Sequence, residues 1–117
     1  GALLPRLLQA SELLGAKGIG VTLVEVHTVK PLDVEGVCKV LKDCGAAVTA
    51  EDHTIIGGLG SAIMETAAEN IPVPIKRIGL RDKFPGSGLP QELLDYYEMS
   101  VDDIVKAAEA TIARKPK

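Results

Sequence analysis

The chain has 117 residues, 46% of them hydrophobic, which is enough apolar matter for one domain with a buried core. Aromatic residues make up only 3% and Trp is absent, so the core is aliphatic and a stacking surface for single-stranded nucleic acid is not expected. A net charge of -3 without a basic stripe speaks against DNA or RNA as a partner.

Residues Ala2 to Leu14 read as a helix with Leu3, Leu7, Leu8, Ala10 and Leu14 on one face. Pro5 suits its first turn, and Gly15 and Gly18 stop it. Ile19 to Val29 is rich in β-branched residues and predicts a buried strand, ended by Pro31. Asp33 is a good N-cap for a helix running through Asp43, with Val34, Val37, Val40 and Leu41 as its apolar stripe and Gly45 as its stop.

A second strand is expected over Ala46 to Asp52, and a helix from Ser61 to Asn70. After a connector holding Ile71, Pro72 and Pro74, a third strand covers Pro74 to Leu80. Arg81 to Gly88 reads as a solvated loop and Pro90 opens a short helix. Ser100 with Asp103 three residues on resembles a capping box for a last helix, Val101 to Arg114, burying Ile104, Val105, Ala108 and Ile112.

Strands alternating with helices over short links imply right-handed crossovers, hence an α/β fold of three layers with a mostly parallel sheet covered on both faces. The chain shows no internal repeat and no linker, so residues 1–117 form one domain. Its opening on a helix fits either a small irregular sheet or a start partway through a larger domain.

Cys38 and Cys44 form no CxxC pair, and two scattered thiols point to a reducing, cytoplasmic setting. Neither lies in a cationic niche that would activate it. No run reaches the roughly 18 apolar residues of a membrane span, and no stretch reads as a secretory signal.

The stretch EDHTIIGGLGSA, from Glu51 to Ala62, concentrates the candidate functional residues. Gly57, Gly58 and Gly60 precede a helix, whose free N–H groups attract anions. Counted from Gly58, however, the dinucleotide fingerprint G-x-G-x-x-G meets Ile63 where its third glycine belongs, and no Walker lysine follows. The balance favours a strand-to-helix turn needing positive φ, together with a close helix approach.

Glu51, Asp52 and His53 fall at the carboxyl end of a strand, where sites collect in open α/β sheets. His53 could act as a base oriented by an acid. Ser61 is a poor nucleophile candidate, because GLGSA lacks the order G-x-S-x-G. His27 could join His53, Glu51 and Asp52 around a metal, but two histidines without tight spacing are a weak signal. A histidine bonded in a loop or interface is the simpler reading of His53.

Three stretches taken together are more specific than any one of them. VTLVEVHTVKPLD, VTAEDHTIIGGLGSAIMETAAE and PIKRIGLRDKFPGSGLPQELLDYYEMSVDDIVKAA resemble, in this order and over nearly the whole chain, the C-terminal domain of the transketolase family. That family includes transketolase, deoxyxylulose-phosphate synthase and the β subunits of 2-oxoacid dehydrogenase E1 components; the pattern here is most like transketolase of the short or split type. The resemblance implies a five-stranded mixed sheet with helices on both faces, whose first strands would fall before Gly1. The chain is then expected to be a fragment, or to have the gap filled by another copy or chain.

By the same resemblance, the whole enzyme would use thiamine diphosphate and Mg²⁺ to move a two-carbon ketol unit between sugar phosphates. The family's thiamine-binding motif is absent from these residues, so this chain is expected to bind no cofactor or metal and to carry no catalytic residue. Glu51, Asp52, His53, Gly57, Gly58 and Gly60 match the family's loop and are expected at a contact with a second copy, as in a homodimer, or with the thiamine-binding domains. Two other readings stay open: a free-standing small-anion or nucleotide-binding module using the Gly57 to Ser61 turn, and a small enzyme using His53 with Asp52 or Glu51.

Overall fold

The computed structural model describes residues 3–26, 32–54, 58–80 and 99–115, with the backbone alone at 52–54 and 80. The elements, in chain order, are α1 (Leu4–Ala16), α2 (Val34–Cys44), β1 (Ala47–Thr54), α3 (Leu59–Asn70), β2 (Ile75–Leu80) and α4 (Val101–Ala113). The strands β1 and β2 pair in parallel, from Ala47 against Ile75 to Ala50 against Ile78. A parallel pair needs a crossover, and α3 supplies it.

Alternation along β1 and β2 divides their side chains between two layers of helices. On one side Val48, Ala50 and Ile78 pack with Leu3, Ala10 and Leu14 of the α1 region and with Met99, Ile104 and Val105 of the α4 region. On the other, Ala47 and Ile75 pack with Leu41 of α2 and with Ile63 and Ala67 of α3. The expected three-layer α/β arrangement with a parallel sheet is therefore present, and its aliphatic core lies on both faces.

Local signals act where they were expected. The Asp33 side chain accepts from the Gly36 N–H at 3.1 Å and starts α2. Gly45 ends that helix at φ 75°, its N–H donating to the Leu41 carbonyl at 2.8 Å. Ser100 and Asp103 form a reciprocal capping box at the start of α4. The stop of α1 is Gly18 at φ 84°, whereas Gly15 lies inside the helix. Its first turn admits Pro5 because the leading N–H groups have no partner within the helix.

The layer of α1 and α4 is bridged by two contacts between distant parts of the chain. Arg6 Nη1 donates to the Met99 carbonyl at 3.2 Å, and Lys17 Nζ lies 3.2 Å from Glu109 Oε2. The second pair is solvent-exposed and contributes about 0–1 kcal/mol.

Several expectations need correction. The strand predicted from Ile19 is not formed: residues 19–26 have no regular secondary structure, and Val21, Leu23 and Val24 are 41%, 44% and 55% exposed. β-Branched residues favour a pleated, half-buried surface, and among the described residues no neighbouring strand provides the ladder; residues 27–29 of the predicted strand lie outside them. Leu8 faces solvent, because only the Leu3, Ala10 and Leu14 edge of α1 meets α4. In α2 only Leu41 is fully buried, and Val34 is exposed at the first turn. In α4 Thr111 is more buried than Ile112; its hydroxyl is satisfied by donating to the Ala107 carbonyl at 2.6 Å. The loop from Arg81 and the short helix at Pro90 lie outside the described residues.

Candidate functional site

The glycine stretch forms a tightly packed corner between the end of β1 and the start of α3. The helix begins at Leu59 with Gly58 as N-cap, so no cap side chain is available, and no acid occupies its first turn. The missing acceptor comes from outside the helix: Glu51 Oε2 accepts from the Leu59 N–H at 2.8 Å across a separation of eight residues. A carboxylate at this position satisfies an orphan donor and complements the positive end of the helix dipole.

The two described glycines are required by proximity, not by left-handed backbone. Gly58 has φ -93° and ψ -156°, extended backbone open to any residue, so the positive φ expected of this turn does not fall at Gly58. A Cβ on Gly58 would lie 2.7 Å from Glu51 Oε1 and 3.1 Å from Oε2. A Cβ on Gly60 would lie 2.8 Å from Arg77 Cδ, 2.9 Å from Arg77 Cγ and 3.1 Å from Thr49 Oγ1. Glu51, Gly58 and Leu59 thus form one contact, and Thr49, Gly60 and Arg77 form a second one next to it. Together they seat α3 on the β1–β2 pair.

The neighbouring residues stand where the ladder becomes irregular. Pairing is regular up to Ala50 and Ile78, then resumes at Thr54 and Leu80, so the β1 side carries two extra residues. Glu51, Asp52 and His53 occupy this bulge. Such a bulge bends a strand and re-aims its side chains. Gly57 and His27 lie outside the described residues, as do the side chains of Asp52 and His53.

The corner does not suit an external anion. The Leu59 N–H that a phosphate would use is already bonded to Glu51, and the second carboxylate oxygen, Oε1, is buried beside it with no hydrogen-bond donor among the described residues. A phosphate entering here would meet a negative group in a poorly solvated setting. The same two features set this corner against the diphosphate of a cofactor. This geometry weakens the anion-module reading of the Gly57 to Ser61 turn. The role of Glu51 as a remote cap was hidden from sequence reasoning; the clue was an acid preceding a helix whose own N-cap is glycine.

A second feature is an apolar groove of about 860 Å³ between residues 19–26 and β1. Its walls include Val21, Leu23, Val37, Val48, Ile63 and Ile104. Among the described residues β1 pairs on one side only, so its other edge opens toward this groove. Cys44 also borders the groove, and both thiols are free and half-buried. No helix among the described residues is long and apolar enough to cross a membrane.

Comparison with known proteins agrees with this architecture. The family model described as the transketolase C-terminal domain matches residues 1–104. The 6-deoxy-6-sulfo-D-fructose transketolase subunit SqwH of Clostridium sp. (strain MSTE9) is 44% identical over 115 residues, covering 98% of this chain and 36% of that protein. A putative transketolase C-terminal section from Methanocaldococcus jannaschii is 44% identical over 107 residues, covering 91% of this chain and 33% of that protein. Among solved structures, a split-gene transketolase in an inactive β4 tetramer superposes with a TM-score of 0.85 at 34% identity, covering 97% of this chain and 36% of that one. The chain therefore spans about a third of the length of these relatives. From the matched motifs, the three-layer fold and these likenesses, the chain belongs to the transketolase family, to which it corresponds as a C-terminal domain.

Proposed function

We propose that this chain is the assembly module of a transketolase, an enzyme that uses thiamine diphosphate and a divalent cation such as Mg²⁺ to move a two-carbon ketol unit between sugar phosphates in the cytoplasm. In this reading the chain supplies no catalytic group and holds no cofactor. It contributes contact surface to the thiamine-binding domains and to a second copy of itself. Of the residues expected at that contact, Asp52, His53 and Gly57 belong to its surface, while Glu51, Gly58 and Gly60 support it from within the corner, where they pack inside the chain.

The observation that carries this reading is the self-filled corner. A helix start capped by the chain's own carboxylate, beside glycines that side chains approach closely, fills the corner with protein and leaves no cradle there for a phosphate. The open edge of β1 and its apolar groove add a second surface suited to protein and not to a polar substrate.

Calorimetric titration of the chain with thiamine diphosphate and Mg²⁺ tests the proposal, alongside an assay with a ketose phosphate donor and an aldose phosphate acceptor. The expected results are no saturable heat and no product, with a light-scattering mass above that of a monomer. Saturable cofactor binding refutes the proposal. Turnover by the chain alone that disappears in His53→Ala would establish the small-enzyme reading in its place.

A further inference from the structure

We draw no further inference here: the strongest candidate, the apolar groove between residues 19–26 and the open edge of β1, belongs to the assembly role proposed above, and nothing in the structure shows which segment or chain covers it.

Discussion

The contact between Glu51 and Gly58 can be measured directly by a double-mutant cycle. In Gly58→Ala the new methyl group would sit 2.7 Å from Glu51 Oε1 and 3.2 Å from the carboxylate carbon. That carboxylate lies at the end of a flexible side chain and must shift, at the expense of the 2.8 Å bond between Oε2 and the Leu59 N–H. Overpacking of this kind costs about 1–3 kcal/mol. The backbone angles at residue 58 suit alanine, so no conformational penalty is added. In Glu51→Ala the helix loses a hydrogen bond to a charged acceptor, worth about 1.5–3 kcal/mol, offset in part because the bare buried Oε1 also disappears. In the double variant the alanine at 58 has no carboxylate to strike. Its loss should therefore match that of Glu51→Ala alone, leaving a coupling of about 1–3 kcal/mol. Urea unfolding followed by far-ultraviolet circular dichroism measures all four proteins. Losses that simply add, to within about 0.5 kcal/mol, would refute the proposed contact.

Four further substitutions test other parts of the molecule. Met99, 0% exposed between α1 and α4, should cost about 2–5 kcal/mol as Met99→Ala in the same unfolding assay. A loss below about 1 kcal/mol would mean that this layer does not hold the domain together. Gly45→Ala should cost about 1–2 kcal/mol, since φ 75° burdens any side chain, and Asp33→Ala at the other end of α2 about 1 kcal/mol. Val24→Lys should leave stability within about 0.5 kcal/mol while lowering self-association in light scattering, because Val24 is exposed beside the groove. Unchanged association would remove residues 19–26 from the contact surface.

How much of this was legible in the sequence depends on how far each signal acts. The start and stop of α2 are written in Asp33 and Gly45, which act on their own helix within a turn, and both appear as read. The Ser100 and Asp103 box is equally local. Residues 19–26 carry as strong a β pattern as β1, yet a strand exists only where a neighbour completes its hydrogen bonds, and composition cannot supply the neighbour. The glycine corner lies between these cases. Its position at the end of a strand was readable, but the reason for its glycines was not. That reason is a carboxylate eight residues from Leu59 and an arginine stem on β2, contacts made only after the sheet has formed. Thr111 shows the same limit in miniature, since its burial depends on a hydroxyl bond to the preceding turn that hydropathy does not register.

The pairing of the first described helix with the last has a kinetic consequence. Arg6 reaches Met99 across 93 residues and Lys17 reaches Glu109 across 92, so this layer of the hydrophobic interior cannot close until the residues of α4 have left the ribosome. Until then Ala10, Leu14 and Ile78 lack the side chains that shield them. During synthesis the other layer, in which α2 and α3 lie against β1 and β2, is the first that can become compact, and α1 is left as a sticky segment that chaperones can hold.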